Sequence, residues 1–474
     1  MVARRFAAVW AIFAGLYVAL AALGPNGVVP VPVWPQVNQH LLQVRAWIGD
    51  DIELVGADGE PAGVVEVTPR LDVTPYLRHR VVGDPRERAL LGNLACGVPA
   101  GGGPLIPAQE AARRAGVAPE QLLDRMVCHV GFPPGPAFLL LPLYAGLRGL
   151  LATQWLSALL AGFAVAVMDR LLALWLDEVA GGGSRAMTGL LAPPVLSGLG
   201  TLWLWAAPDG STWLFAHVVA ATGLATALLL AWRGRPFWCG LAFALAFSAR
   251  PPVLLAAPLL AVLVAGRAPR GVRRRGRRGG PFAALALSAL SPLALGGVVL
   301  ALNQLRFASP FDFGYAAMIT PPELAQRLAE HGQLSVAFLG DNLRYLLWQP
   351  PRLLPRFPFI VSDPHGMGVL FVTPAFVAVL AAIGGAGRGR GLLAAAWVSL
   401  IAVTVPALLY FNTGWVQWGG RFLLDGWPVW LLLAGIGLQR LDRRIAVALV
   451  ALSVASNLWA VVATLSRAWP GCAM

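Results

Sequence analysis

The chain contains no lysine: its 36 basic residues are all arginine, and they outnumber its 23 acidic residues. Schiff-base chemistry and the phosphate-binding P-loop both need a lysine amine, so the sequence excludes both. Charged residues make up only 12% of the 474 positions, whereas about 25% is usual in soluble globular proteins. Hydrophobic residues make up 57%, and the mean hydropathy is +0.67. This composition predicts a polytopic membrane protein.

Metal-binding patterns are also missing. The six histidines are scattered without HxxxH or HExxH spacing, and the four cysteines form no closely spaced pair. We therefore expect no metal and no cofactor. Cys96 and Cys128 share the first long hydrophilic loop, where they either form a disulfide or remain two separate thiols. Spacing alone does not decide between these alternatives, because a disulfide requires spatial proximity.

The arginines indicate the topology of the chain. Its net charge of +13 would suit a nucleic-acid-binding protein, but the arginines cluster beside apolar stretches. These clusters lie at residues 4–5, 233–235, 267–278, 388–390 and 440–444. Short arginine-rich loops stay in the cytoplasm, so we expect a cytoplasmic N-terminus and no nucleic-acid partner. The loops 233–235, 267–280, 387–391 and 439–444 are predicted to be cytoplasmic as well.

The apolar stretches predict an all-α integral membrane protein, a polytopic bundle of about 11–13 transmembrane helices. The predicted spans are 6–23, 136–149, 153–176, 188–206, 212–232, 236–249, 252–266, 281–302, 367–386, 391–410, 422–438 and 445–465. No Ala-x-Ala-like cleavage site follows the first stretch, so a retained helix is favoured over a signal peptide. Residues 1–474 are interpreted as a single polytopic membrane domain.

Two long polar stretches, 24–132 and 303–366, are predicted to be the first and second periplasmic loops, carrying interfacial helices and turns. Three apolar stretches separate the first loop from the predicted outer turn at 207–211, where an even number of crossings is needed. One of the three must therefore be interfacial or broken, and Pro193-Pro194 is a candidate break.

Polar residues recur at the predicted outer ends of the spans. Arginines at membrane level usually mark an anionic partner, and a guanidinium suits a phosphate better than an ammonium does. An outward site with arginines, a carboxylate and aromatic rings would suit a lipid phosphate that carries a sugar. The candidate residues for binding such a donor are Arg250, Arg421, Asp209, His217, His129, Trp415 and Gln417.

Most of these residues also have a simpler interpretation. Arg250 or Arg421 alone could extend toward lipid headgroups. Asp209 begins an Asp-Gly turn and could cap the following helix. His217 could be packed inside its helix, and tryptophans such as Trp415 form belts on ordinary membrane proteins.

The order of motifs along nearly the whole chain resembles bacterial predicted glycosyltransferases of the C-type fold (GT-C). This superfamily includes protein O-mannosyltransferases and the lipid A aminoarabinose transferase. The motifs are Phe132-Pro-Pro-Gly-Pro, Gly200-Thr201-Leu-Trp203, Gly210-Ser-Thr-Trp213-Leu-Phe-Ala-His217, Ala249-Arg250-Pro-Pro, Arg306-Phe-Ala-Ser-Pro-Phe-Asp312-Phe-Gly-Tyr315 and Gly414-Trp415-Val-Gln417-Trp-Gly-Gly-Arg421-Phe-Leu-Leu-Asp425.

The resemblance implies a polyprenyl-phosphate-linked sugar as donor, a lipid, glycan or protein as acceptor, and an active site on the outer face of a bacterial inner membrane. It also implies an acidic general base in the first outer loop, soon after the first span. That position contains Asn38 and His40 instead of an acid. Asp72, among aromatic and apolar residues, is our first choice for the base, and Asp51 is the second. His40 could titrate, whereas Asn38 could only form hydrogen bonds.

Two other classes of function remain open. A transporter or flippase for an anionic lipid or glycan would use the same arginines as a path, but it should carry charges near the middle of its spans. Only Asp169 and Arg170 lie deep in an apolar stretch, and no internal repeat is visible. A non-catalytic protein that binds lipid or glycan would fit the missing early acid.

Overall fold

The computed structural model describes residues 2–23, 38–49, 52–55, 61–65, 73, 94–98, 106–118, 121–122, 125–147, 152–179, 193–267, 280–318, 322–384, 389–414 and 417–465. Within these ranges, seven helices are long and apolar enough to cross a membrane: Val2–Leu23, Thr153–Val179, Thr212–Trp232, Pro281–Phe307, Arg390–Leu409, Arg421–Arg440 and Arg443–Leu465. Three shorter apolar helices are Gly135–Leu147, Pro236–Ala249 and Pro251–Arg267. The chain is therefore a multi-pass α-helical membrane protein.

The α-helices follow one another in chain order as α1 (Val2–Leu23), α2 (Gln39–Ile48), α3 (Ala108–Ala115), α4 (Gly135–Leu147), α5 (Thr153–Val179), α6 (Pro193–Leu199), α7 (Trp203–Ala206), α8 (Thr212–Trp232), α9 (Pro236–Ala249), α10 (Ala257–Arg267), α11 (Pro281–Phe307), α12 (Pro322–His331), α13 (Leu339–Leu343), α14 (Val369–Val372), α15 (Arg390–Leu409), α16 (Trp427–Arg440) and α17 (Arg443–Leu465).

Shorter elements connect these helices. The 3₁₀ segments are Pro251–Ala256, Tyr315–Ala317, Val336–Phe338, Pro374–Ala382 and Arg421–Gly426, and Arg344–Trp348 forms a π-helical turn. The strands are β1 (Ile52–Val55), β2 (Pro61–Val65), β3 (Leu94–Val98), β4 (Ile106–Pro107), β5 (Val127–Val130), β6 (Arg352–Leu353) and β7 (Ile360–Val361). They pair antiparallel as β1–β2, β4–β3–β5 and β6–β7.

The chain divides into two compact units. Unit 1 contains residues 1–36, 152–293 and 334–474, and unit 2 contains residues 37–151 and 294–333. The second predicted outer loop, 303–366, is thus divided between the units after residue 333. The interpretation as a single polytopic domain stays a prediction.

Two predicted spans are broken in the structure. Of the predicted span 188–206, the described part forms α6 and α7, which are separated at residues 200–202. Pro193 and Pro194 are the first residues of α6 that the structure describes, so the candidate break at this pair stays a prediction. The predicted span 367–386 divides into α14 and a 3₁₀ segment that begins at Pro374, where a proline removes a backbone donor.

In unit 1, α1 and α5 pack antiparallel. Arg5 near the start of α1 meets Asp169 in the second half of α5, whereas Trp10 donates to the Leu159 carbonyl at 3.2 Å. The helices approach closely at Gly162, where a Cβ atom would lie 2.5 Å from the Ala14 nitrogen. Small residues permit such contacts between membrane helices, where lipid supplies no hydrophobic driving force for association.

This antiparallel pairing answers the parity question. The chain leaves α1 and enters α5 at the same end of unit 1, so the connection between them makes no net crossing. The intervening apolar helix α4 has 13 residues and contains Pro142. At 1.5 Å per residue it extends about 20 Å, less than the roughly 30 Å of a hydrocarbon core. This length agrees with a connection that makes no net crossing.

The two ends of unit 1 differ in chemistry. At one end, Arg267 forms an ion pair with Glu178 and its guanidinium lies 4.4 Å from the Trp232 ring centroid. Arg440 caps the same end by donating to the Ala381 carbonyl at 2.8 Å. The arginine-rich turns predicted to be cytoplasmic thus begin from one end. His217 and Arg250 lie toward the opposite end of unit 1, because α8 and α9 form an antiparallel hairpin.

Unit 2 contains strands that the sequence did not indicate. The first outer loop was expected to hold only interfacial helices and turns; α2 and α3 are present, but β3, β4 and β5 form a sheet. Cys96 and Cys128 are directly paired across β3 and β5 and form a disulfide. Leu94, Met126 and Val130 are buried beside them. These strands are five residues or fewer, too short for a clear alternating pattern.

The Arg5–Asp169 ion pair provides a test of the α1–α5 packing. Both Asp169 oxygens accept from Arg5, at 2.7 and 2.8 Å, and the Asp169 side chain is only 7% exposed. We expect Arg5→Gln to lower the free energy of unfolding by about 1–3 kcal/mol, because it leaves a desolvated carboxylate. Adding Asp169→Asn should recover most of the loss. Denaturant titration in mixed micelles measures both effects. Arg4→Gln, which alters an exposed neighbour, is the control. An equal loss of unfolding free energy in this control would contradict the pairing.

Candidate functional site

Three helix ends in unit 1 bring a histidine, an arginine and an aspartate together. His217 lies in the second turn of α8, and Arg250 lies in the turn between α9 and the 3₁₀ segment that begins at Pro251. Asp425 lies in the 3₁₀ turn that leads into α16. Proline after Arg250 disfavours further helix at that residue, which adopts an extended conformation.

Asp425 is bonded to both partners. His217 Nδ1 lies 2.8 Å from Asp425 Oδ1. Arg250 binds the same carboxylate with both arms of its fork: Nε donates to Oδ1 at 3.0 Å and Nη2 donates to Oδ2 at 3.0 Å. The His217 and Asp425 side chains are 1% and 3% exposed, and that of Arg250 is 17% exposed. The bidentate guanidinium compensates a carboxylate that has been removed from water.

The sequence did not single out Asp425 as a candidate site residue, although Asp425 is the last residue of one of the motifs. A signal was present: Asp425 is an acid at the start of an apolar span, where an ionisable residue by default indicates function. It also follows Arg421 by four residues. The two partners of Asp425 were both among the predicted donor-binding residues.

Arg421 and Arg250 share the ring of Phe422. The Arg250 guanidinium lies 5.4 Å from the centroid of this ring, and that of Arg421 lies 5.6 Å from it. Arg421 is also 5.7 Å from the Trp213 ring. Aromatic faces attract cations, so Phe422 allows two like charges to lie near one another at the end of the bundle. The structure thus brings together the two arginines that the sequence placed at one site.

Asp209 has the turn geometry that its simpler interpretation describes. Its Oδ1 accepts from the Ser211 backbone nitrogen at 2.6 Å, just before α8 begins. Burial raises the pKa of the Asp209 carboxyl, while the bonds from Ser211 and the charge of Arg421 act in the opposite direction. Asp209 therefore takes up a proton at a higher pH than an ordinary aspartate does. The Arg421 guanidinium is thus close enough to act on the charge of Asp209.

Gln417 is fully buried and holds the backbone around the site. Its Nε2 donates to the carbonyls of His365 and Thr413, at 2.7 and 2.9 Å, and its Oε1 accepts from the Arg421 nitrogen at 3.3 Å. The Gln417 side chain bonds to backbone groups of three residues, so its observed role is to position the backbone of Arg421, His365 and Thr413. We call Gln417, His365 and Thr413 the Gln417 bracket.

The remaining predicted site residues belong to unit 2 or lie outside the described residues. His129, Asn38 and His40 belong to unit 2 and are buried there. Asn38 caps α2 by accepting from the His40 and Leu41 nitrogens, and the His129 ring packs edge-on against Phe307. Asp72, Asp51 and Trp415 lie outside the described residues. Among the described residues, no group of three His, Cys, Asp or Glu side chains is arranged to hold a metal ion.

The comparisons with known proteins add no family. No protein-family model, curated protein or solved structure matches the chain. The class of protein is defined by the fold and the polar cluster alone. The chain is a multi-pass α-helical membrane protein in which an Asp–His–Arg cluster and a second arginine lie at one end of a helical bundle.

Replacing Asp425 tests whether the cluster depends on its charge. We expect Asp425→Asn to lower the free energy of unfolding by about 3 kcal/mol, because it leaves the Arg250 guanidinium desolvated without its counter-ion. Asp177→Asn, which alters an exposed acid of α5, is the matched control and should have little effect. Thermal unfolding in detergent measures both, and equal midpoints for the two variants would refute the pairing.

Gly414 tests the packing of the Gln417 bracket. Its φ of +101° is unfavourable for other residues, and a Cβ atom there would lie 2.5 Å from the Gln417 side-chain amide. We expect Gly414→Ala to destabilise unit 1 by roughly 1–3 kcal/mol through backbone strain and the clash. Gly15→Ala, in helix α1 with no neighbour within 4 Å, should be neutral or stabilising. Proteolysis resistance in detergent compares the two; a tolerated Gly414→Ala would contradict the packing.

Proposed function

We propose that the chain is a glycosyltransferase of the C-type fold that moves a sugar from a polyprenyl phosphate to a hydroxyl group of a lipid, glycan or protein. The observation that supports it most is the pair Arg250 and Arg421 on Phe422 at one end of the bundle. Guanidinium groups at membrane level suit the phosphate of a lipid whose chain lies among the helices.

The two arginines have different roles in this proposal. Arg250 is held by Asp425, so it forms a fixed wall of the site with much of its charge compensated. Arg421, positioned through Gln417, stabilises the negative charge that develops on the phosphate oxygen as the sugar leaves. The reaction is a direct displacement at the anomeric carbon, with the lipid phosphate as leaving group.

Two observations support an outward-facing site. The arginine-rich turns begin from the end of unit 1 opposite His217, and short arginine-rich loops remain in the cytoplasm. The Cys96–Cys128 disulfide in the first outer loop suits an oxidising compartment. We therefore propose a bacterial inner-membrane protein with its N-terminus in the cytoplasm and its donor site at the periplasmic face.

Arg421→Ala is the direct test. Purified protein in detergent would be incubated with a panel of radiolabelled polyprenyl-phosphate sugars, with membrane extract as acceptor, and sugar release would be followed. We expect Arg421→Ala to lower kcat about 100- to 1,000-fold, because it removes a group that stabilises charge in the transition state. Arg421→Lys should recover only part of this rate, because an ammonium lacks the planar fork.

Arg443→Ala, which alters an exposed arginine at the start of α17, is the control and should keep the wild-type rate. Donor binding without release of sugar by the wild-type protein would favour a transporter or a non-catalytic binding protein. If the wild type neither binds nor consumes any donor in the panel, the proposed function is wrong.

A further inference from the structure

A second polar cluster lies beside the arginine site in unit 1. The His365 ring is half-buried, and its Nδ1 lies 2.7 Å from the Thr413 hydroxyl. The backbone of His365 is held on both sides: its nitrogen donates to Asp363 Oδ1 at 3.0 Å, and its carbonyl accepts from Gln417 at 2.7 Å. These contacts fix the backbone of His365 and the orientation of its ring.

The Thr413 contact fits the tautomer of neutral His365 that carries its proton on Nδ1. The Thr413 hydroxyl also lies 3.3 Å from the Gly414 carbonyl, which can only accept a hydrogen bond. In this tautomer the Thr413 oxygen accepts the Nδ1 proton of His365 at 2.7 Å, and the hydroxyl proton can turn toward the Gly414 carbonyl. The neutral ring then carries its lone pair on Nε2, which is the form that accepts a proton from a substrate hydroxyl.

Gln417 connects this pair to the arginine site. One amide nitrogen donates to the carbonyls of both His365 and Thr413, while the amide oxygen accepts from the Arg421 nitrogen. His365, Thr413 and Arg421 are therefore fixed relative to one another by a single buried side chain. A general base and a group that binds the leaving phosphate need such a fixed relation, since displacement occurs along one line.

The groups around His365 could bind a polar acceptor. The Tyr345 ring centroid lies 5.0 Å from that of His365, and Tyr345 belongs to the π-helical turn, a feature frequent at functional sites. Arg352 donates to Asp363 at 2.5 Å, and Arg344 and Asp341 also act electrostatically on Tyr345. An aromatic ring surrounded by hydrogen-bonding groups of both signs suits the hydroxyl-rich surface of a sugar or glycan.

We propose that His365 is the general base of sugar transfer and that Thr413 positions it. Nε2 removes the proton of the acceptor hydroxyl as its oxygen bonds to the anomeric carbon. The bond from that carbon to the phosphate oxygen breaks at the same time, and its electron pair stays on the lipid phosphate beside Arg421. The proton on Nε2 is then released to solvent. The assignment rests on the proposed function and supplies the base missing after the first span.

The test compares His365→Ala and His365→Gln with wild type in the sugar-release assay, using polyprenyl-phosphate-linked sugars as donor and membrane extract as acceptor. We expect kcat to fall about 100-fold or more in both variants, because a positioned general base contributes that much. The affinity for the donor is measured by quenching of tryptophan fluorescence. It should stay within about twofold of wild type, because loss of a general base lowers kcat without weakening donor binding. Added imidazole should restore part of the rate to His365→Ala but not to His365→Gln, which leaves no space for it.

Thr413 and two controls complete the test. Thr413→Val removes the acceptor of the Nδ1 proton and should lower kcat, whereas Thr413→Ser keeps the hydroxyl and should retain the wild-type rate. His331→Gln, which alters an exposed histidine of α12, should keep the wild-type rate as well. Asp72→Asn tests the competing assignment of an acidic base in the first outer loop.

The outcomes separate this inference from the proposed function. Wild-type kcat in His365→Gln, or no imidazole rescue of His365→Ala together with loss of turnover in Asp72→Asn, overturns the assignment of His365 while sugar transfer stands. If wild type consumes no donor, the proposed function fails first. Loss of donor binding in both His365 variants would also overturn the assignment, since His365 would then support the fold of the site.

Discussion

The compensation of the Asp425 charge is the constraint on which the site depends. This carboxylate is buried at the start of a membrane helix, where it cannot be hydrated. Arg250 and His217 surround it, and each comes from a different helix end. Since a buried carboxylate without partners is costly, the ends of α8, α9 and α16 must meet in one arrangement. In that arrangement Arg250 binds Asp425, and Arg421 lies near Arg250 because both guanidinium groups contact the Phe422 ring.

Hydrogen bonds of buried polar side chains fix the residues next to the charged cluster. Trp427, at the start of α16, stacks on Trp203 at 4.2 Å and donates to Thr201 at 3.0 Å, which holds the helix that follows Asp425. On the other side, Gln417 joins Arg421 to His365 and Thr413. The proposed donor and acceptor sites are therefore not independent, because the buried Gln417 side chain positions a residue of each.

Much of the helical framework could be predicted. The predicted spans 212–232 and 236–249 coincide with α8 and α9, and α5, α15 and α17 differ from prediction by a few residues. Long apolar runs bounded by arginine or proline identify such helices locally. The strands of the first outer loop could not be predicted, because β3, β4 and β5 are short and become strands only by pairing with each other. A break within 188–206 was expected from its proline pair, although α6 and α7 separate at residues 200–202, whereas the break within 367–386 was invisible to a window that averages hydropathy.

The sequence by itself determined the membrane class, the position of most helices and the presence of arginines at span ends. These properties depend on hydropathy and on hydrogen bonds within a helix, which involve residues a few positions apart. Only the tertiary structure decided that Asp425 is the partner of Arg250 and His217, residues 175 and 208 positions away in the chain. It also decided that Gln417 links Arg421 to His365. The physical reason is that a pair between helices depends on how their faces pack, and no local pattern records which faces meet.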